Sequence, residues 1–564
     1  MTADFEEPAG LVREAGDSAW LLVFAGLEAG SGVPDAAINA RAVAVAQRLQ
    51  VSGLTGVRDV VPTFRSVAVH VDPLLVDPTA VAEALTRHAD VSTEAAGGVV
   101  EVPVAYGGEA GPDLLDVAAF AGCTPHQVID RHASRVYRGF MLGFLPGFAY
   151  MGTVDPRIAA PRRAAPRVRV PAGSVGIAGR QTGIYPCASP GGWQIVGRAS
   201  LGLFNAAATP PARLAPGDVV RFVPVDPDLL GGNPAALPRL HSGGGVSGSG
   251  RPGRVVTVLR PGLLTTIQDA GRWGFQHVGV PVAGPMDRVA HRLSNALVGN
   301  APDAAGLEAT LVGPELRFEQ QTWVALAGAD LQASLDGAAV PAQQAVRCRP
   351  GSVLRFGGRR SGARAYVAFD GGIATPQVLG SRATHVRSGL GGMGGRALQA
   401  GDTIPLGPVS DRVPAPRRGR RSGPELCPPG GARLRLLPGP QAECLDGWTS
   451  DLVEGVRYTL SPQSDRMGYR LSSGAACPAA ASGEMLSDAA FFGGLQVPPS
   501  GDPILLMADR QTTGGYPQLG VVIAADLPLA AQLLPGDWVE FQFCTRSEAI
   551  EALAEQEGAV LDLL

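Results

Sequence analysis

GRQTGIYPCASPGGW, Gly179 to Trp193, returns in altered form as DRQTTGGYPQLG, Asp509 to Gly520. In both copies Arg-Gln-Thr is soon followed by Tyr-Pro. A guanidinium, an amide and a hydroxyl thus stand beside a backbone able to bend tightly and present its own N–H groups, which reads as a binding loop. The flanks repeat as well. VPAGSVGIAG (170–179) precedes the first copy and VPPSGDPILLMAD (497–509) the second, while LAPGDVVRF (214–222) and LLPGDWVEF (533–541) follow. Pro-Gly between apolar runs is a turn signal, with Pro presetting the first turn residue and Gly accepting the positive φ of the second. Beyond it Val539, Phe541 and Phe543 fall on one face and Glu540 and Gln542 on the other, the period of a half-buried strand. A third echo, CRPGSVLRF (348–356), has no RQT nearby. The pattern predicts three related β-rich units, two of which carry the loop.

At 564 residues the chain exceeds one compact core, and about three to four domains are expected. Its 76 glycines and 48 prolines accompany 45% apolar residues, so it is turn-rich and globular, not disordered. The net charge of −4, with no long block of like charge, argues against a nucleic-acid partner, and the arginines of 157–169 and 417–421 read as solvated loops. No lysine occurs; every one of the 47 basic residues is arginine. A Walker-type phosphate lysine, a Schiff-base lysine and a biotin-acceptor lysine are therefore excluded, and anions must be held by arginine or backbone N–H groups. The seven cysteines are scattered without a CxxC, and the eight histidines lack HxH or HExxH spacing, so neither a disulfide framework nor a metal site is expected. The acidic start MTADFEEPAG and the lack of a long apolar run predict a cytoplasmic protein with no membrane contact.

In chain order, 17–25 reads as a strand, 34–51 as a helix, 57–71 as two strands, 79–88 as a helix and 99–106 as a strand. This βαββαβ order predicts a ferredoxin-like unit over 1–106. Two helices follow; the second is signalled by Thr124 as N-cap, Pro125 at the first position and Gln127 closing a capping box. It carries His132 towards GFMLGFLPGFAYMG (139–152), making His132 a candidate catalytic or ligand residue. The Gly/Ser/Pro-rich 225–253 and the Arg/Pro-rich 413–432 read as linkers. Between them, IQDAGRWGF and VAGPMDRVAHRLSNALVGN predict a glycine-rich loop opening a helix near Pro285, with Gln268, Asp269, Arg272, Asp287 and Arg288 crowded into loop and first turn.

At GFLPGFAYMG, VPAGSVGIAGRQTGIYPCASPGGWQIVGR and PGDVVRF, residues 1–224 resemble the B-type subunit of 5-oxoprolinase, a family that includes allophanate hydrolase subunit 1 and Kip-type kinase inhibitors. At GLLTTIQDAGR, GVPVAGPMDRVAHRLSNALVGN, SDRMGYRL and ADRQTTGGYPQLG, residues 254–545 resemble its C-type companion, the biotin-dependent carboxyltransferase-like or Kip-antagonist family. The resemblance implies a natural B–C fusion of α+β, mostly β class. A ferredoxin-like unit (1–106) would precede three cyclophilin-like barrel units over 107–224, 254–412 and 433–564. Carried over residue by residue, it implies a first site of Arg180, Gln181, Tyr185, Ser189, Gly191 and Gly192. A second would hold Gln268, Asp269, Arg272, Asp287, Ser464, Arg466, Arg510, Gln511 and Tyr516.

The resemblance also implies ATP-dependent opening of 5-oxoproline to glutamate with a separate A-type subunit, ATP and Mg being bound here or at the partner interface, with no biotin on this chain and a homo-oligomer as an open option. A lactam is a poor electrophile. Arg180 or Arg510 would stabilise developing negative charge, Gln181 or Gln511 would orient the amide, and Asp269 or Asp287 would accept a proton. Two alternatives stand beside it: the carboxyltransferase part of a biotin-dependent urea or amide carboxylase, and a non-catalytic regulator of a histidine kinase.

Overall fold

A computed structural model describes residues 10–24, 35–89, 98–229, 253–341, 343–409, 428–442, 453–473 and 485–562. Most of both expected linkers, 225–253 and 413–432, lies outside them, although Gly431 and Ala432 already belong to a strand.

The N-terminal unit is a four-stranded antiparallel sheet, Leu11–Glu14, Ala19–Val23, Ser66–Val71 and Val57–Pro62 in spatial order, with helices Ala36–Val51 and Pro78–Ala89 packed on it. Asp35 caps the first helix by accepting from Ala37 N and Ile38 N. One expected strand goes elsewhere: Val99–Tyr106 joins the next unit, and Leu11–Glu14 takes an edge of the sheet instead. The reason is pairing capacity, because Val99–Tyr106 has partners on both sides in the barrel, antiparallel Gln194–Ala199 and parallel Val219–Pro224.

Two seven-stranded barrels close, and they share one plan. In the first, the strand after Pro216-Gly217 (Val219–Pro224) lies parallel to the opening strand Val99–Tyr106; in the second, the strand after Pro535-Gly536 (Trp538–Phe543) lies parallel to the opening strand Gly431–Pro438. The repeated Pro-Gly-Asp sequence therefore marks the closing strand of each barrel. The middle unit differs from the expected third barrel. It consists of a six-stranded and a five-stranded sheet about a core that includes Val256, Ile267, Leu316, Phe318 and Val367. There the echo CRPGSVLRF supplies Val353–Arg355, which pairs only antiparallel with Glu315–Phe318 and Ser334–Leu335, so no parallel closure forms.

The units share cores. Val278, Val280, Val378 and Leu390 of the middle unit enter the first barrel's apolar cluster, and Ala15, Leu21 and Val61 of the N-terminal sheet pack with Ala489, Phe491 and Val521 of the last barrel. Polar ties follow the same seam. Gly147 N donates to Val278 O at 2.9 Å, Ser66 Oγ to Asp488 Oδ1 at 2.5 Å and Ala524 N to Asp17 Oδ2 at 2.7 Å.

Candidate functional site at the seam of the two halves

The helix expected near Pro285 runs over Arg288–Leu297, and Asp287 caps it by accepting from Ala290 N at 2.8 Å. The cap aims the first helical side chain, Arg288, into a cavity of about 440 Å³ where the N-terminal sheet, the middle unit and the last barrel meet. There, guanidinium groups alternate with aromatic faces. Arg58 lies 5.1 Å and Arg288 5.8 Å from the Trp273 ring centroid; Arg288 lies 5.4 Å and Arg510 5.8 Å from that of Phe492. Each of the three units contributes to this ladder.

The charges in the cavity are unevenly matched. Arg58 pairs with Asp72 and Arg292 with Glu557, whereas among the described residues neither Arg288 nor Arg510 meets a carboxylate. Arg510 donates instead to Ala490 O and to Gln276 Oε1, both at 3.2 Å. Burial pushes Arg288 down to about 10, with Arg58 adding to the effect, and burial with Arg288 alongside pushes Arg510 down to about 9. Both stay cationic at neutral pH. His70 lines the same cavity with Nε2 buried and unpartnered, and burial first, then Arg510, holds its ring neutral with a pKa near 3. An anion entering here would meet two guanidinium groups that have no carboxylate in contact.

Of the residues expected in a site, Arg510 alone lines this cavity. Asp287 is a helix cap whose second oxygen accepts from Gln532 Nε2 at 2.7 Å, and burial lifts it to about 6. Asp269 is closed off by Ser381 Oγ at 2.6 Å and Arg382 N at 2.5 Å. Arg272 is fully buried and donates to the Val378 and Ala383 carbonyls, and Gln268 donates to Thr266 Oγ1 and Thr384 O. Arg466 is a buried tie: it grips Asp509 at 2.8 and 2.9 Å, donates to Gly284 O and pairs with Glu308. Ser464 Oγ accepts from Arg470 N in a turn, Gln511 is partly exposed and Tyr516 is exposed.

The first RQT stretch proves to be a hairpin. Gly179 and Arg180 form the turn between Ser174–Ala178 and Gln181–Ile184, Gly179 taking φ +55°, and Thr182 points inward. His132 lies in the barrel core: its Nδ1 pairs with Tyr106 OH at 2.8 Å, its Nε2 with Thr182 Oγ1 at 3.0 Å, and the ring stacks on Phe222. Tyr185 is buried among Phe144 and Phe148, and a Cβ on Gly191 would overlap its hydroxyl. Ser189 and Gly191 form a short strand against Arg167–Val170, and Gly192 O accepts from Arg163 N. Among the described residues, no cluster of three or more His, Cys, Asp or Glu could hold a metal ion, and no helix is long and apolar enough to cross a membrane.

Sequence reasoning missed Arg58, His70, Trp273 and Phe492, and named Arg288 only as one of a polar crowd. Trp273 inside a glycine loop, with Arg272 before it, was the available signal.

Known proteins resemble this chain in sequence and fold. Residues 11–214 match the carboxyltransferase domain, subdomain C and D, and residues 278–543 match the carboxyltransferase domain, subdomain A and B. The C-type subunit of 5-oxoprolinase from Escherichia coli strain K12 is 39% identical over 303 residues, 54% of this chain and 96% of that protein. The B-type subunit of 5-oxoprolinase from Bacillus subtilis strain 168 is 54% identical over 125 residues, 22% of this chain and 52% of that protein, so that match spans about half of the relative. The crystal structure of TTHA0988 superposes with a TM-score of 0.81 at 33% identity, covering 94% of this chain and all of the other. The chain belongs to the carboxyltransferase-domain family and joins in one polypeptide what its relatives carry as the separate B-type and C-type subunits of 5-oxoprolinase.

Proposed function

We propose that this chain is the fused B and C component of an ATP-dependent 5-oxoprolinase, which opens 5-oxo-L-proline to L-glutamate together with a separate A-type subunit. The observation that carries the reading is the seam cavity. Its walls come from both halves, the B-like half supplying Arg58 and His70 and the C-like half Trp273, Arg288, Phe492 and Arg510. Two subunits that build one site between them have a physical reason to be fused.

Resonance makes a lactam carbonyl unreactive, and ATP supplies the driving force for its opening. Four arginines against Asp72, Asp303 and Glu557 leave the cavity one uncompensated positive charge, which suits a carboxylate and not a triphosphate. The charge balance favours binding of ATP, with its Mg ion, at the interface with the A-type partner. Biotin finds no acceptor lysine in these 564 residues. Arg510 and Arg288 would hold the substrate and stabilise negative charge as it develops.

The test is release of ADP and glutamate from ATP and 5-oxoproline, by the chain alone and mixed with an A-type partner. Turnover confined to the mixture is expected. A silent mixture of folded partners would overturn the reading.

A further inference from the structure

We infer that the middle unit carries a docking groove for the A-type partner, which enters it with an apolar side chain flanked by carboxylates. That there is such a partner rests on the proposed function; the groove itself rests on the following geometry.

Two turns of the middle unit, 261–263 and 312–314, stand side by side, with Leu263 N donating to Val312 O at 3.1 Å. Together with Phe356 they line an open groove of about 780 Å³ that shares no lining residue with the seam cavity. Turn tips are ordinarily polar, yet here Leu263 is 63% and Val312 50% exposed, beside a half-buried Phe356 ring. The shape is built in. Gly262 takes φ +75°, and a Cβ there would overlap Val312 O, while a Cβ on Gly313 would overlap the Phe356 ring. An apolar floor held open to solvent by such close backbone packing has the form of an interface core into which a side chain fits.

The rim sets the charge of what docks. Arg260 and Arg355 both reach Glu315, at 3.6 and 2.9 Å, so two guanidinium groups of the lining share one carboxylate. Asp336, near Arg355, is spent on Val353 N at 2.8 Å. Arg359, three residues past Phe356, is exposed and has no ion pair among the described residues. Positive charge thus exceeds negative around an apolar floor, which favours an acidic segment and repels a basic one.

The position of the groove suits the A-type partner. The strand Leu264–Gln268 starts at the groove and leads into Ala270 and Trp273, which line the seam cavity. A protein anchored on the groove lies about 17 Å from that cavity along one strand, within the span of a single standard interface.

The affinity between the purified full chain and a purified A-type subunit, measured by interferometry with turnover beside it, tests this. Leu263→Asp combined with Val312→Asp should weaken the complex by about tenfold or more. Arg260→Glu should weaken it severalfold at low salt and little at high salt. All three side chains are exposed, so melting temperatures should stay unchanged, and an excess of either variant should restore the full kcat. Full affinity in the double variant, native affinity of Arg260→Glu at low salt, no complex at all, or self-association of the native chain that the double variant abolishes would each overturn the inference. The two readings separate. A complex that the variants weaken, with no turnover, removes the 5-oxoprolinase assignment and keeps the groove; turnover in the native mixture with full affinity in the double variant removes the groove and keeps the assignment.

Discussion

Arg510 Nη2 donates to the side-chain oxygen of Gln276 at 3.2 Å, and the backbone N–H of Gln276 donates in turn to Asp59 Oδ2 at 3.0 Å. A single residue of the middle unit thus ties the cavity arginine of the last barrel to a buried carboxylate of the N-terminal sheet. Gly274 N donates to the same oxygen at 3.0 Å.

Asp59 gives the seam a pH dependence of known sign. Burial raises its pKa from 3.8 to about 6 against the opposing hydrogen bonds from Gln276 and Gly274. The folded protein therefore holds this proton more tightly than the unfolded chain. The stabilising contribution is complete below 3.8 and is lost as pH rises to about 6. The loss amounts to roughly 3 kcal/mol at most. Relative to Asp59→Asn, which does not titrate, the native protein should lose stability between about pH 4 and 6 and run parallel above it. Denaturant melts of both proteins across that range measure the difference; parallel curves throughout would show that Asp59 does not titrate there.

Arg466 should prove structural. Its guanidinium is fully engaged by Asp509, Gly284 O and Glu308, and Glu308 also accepts from Tyr366 OH at 2.8 Å and Met286 N at 2.9 Å. Removing one member leaves buried carboxylates unpaired, a loss of about 3–5 kcal/mol. Arg466→Met should lower the melting temperature by several degrees or prevent folding, measured by calorimetry. A variant of native stability that has lost only ligand affinity would return Arg466 to the binding site.

His132→Leu separates core from catalysis in the first barrel. The substitution removes the acceptor of Tyr106 OH, while Thr182 Oγ1 keeps its bond to Gly176 O at 2.9 Å. Stranding one buried hydroxyl costs about 1–3 kcal/mol. Turnover of the folded variant with its partner should be unchanged; a large fall in kcat at native stability would put His132 back into the chemistry.

The closing strands were legible because Pro-Gly-Asp and strand alternation are local signals, and the Thr124–Gln127 capping box and the helix starts for the same reason. Residues brought together only by tertiary pairing were not. Val99–Tyr106 has the sequence of a strand in either neighbouring unit, and only its parallel partner Val219–Pro224 decides where it goes. The ladder is harder still, since Arg58, Trp273 and Phe492 lie far apart in the chain and each alone reads as an ordinary surface arginine or core aromatic. The motif residues carry contacts that only the fold defines. Asp269, Asp287 and Arg272 bond the glycine-rich loop and the helix after it to their surroundings, and Arg466 ties the loop to the last barrel through Gly284 O.

Gly143 tests whether the fit between the two halves controls the cavity. It belongs to the GFLPGF turn of the first barrel, where its N–H donates to Phe148 O at 3.0 Å. A Cβ at this position would overlap Thr513 Oγ1 and Cγ2, three residues beyond Arg510. Thr513 lies on the short strand Thr513–Gly514 paired with Asp488–Ala489, and the Ala490 carbonyl next to that strand accepts from Arg510. Gly143→Ala must therefore push Thr513 away or part the halves, and such overpacking costs about 1–3 kcal/mol. The variant should lose stability and bind 5-oxoproline less tightly because Arg510 shifts with its supports. Thr513→Gly in the same chain vacates the contested space, so the double variant should recover both properties beyond the sum of the single changes, a coupling that melting and titration of all four proteins would measure. Additive effects would mean that the turn and the second RQT loop move independently and that the fit of the halves does not set the cavity.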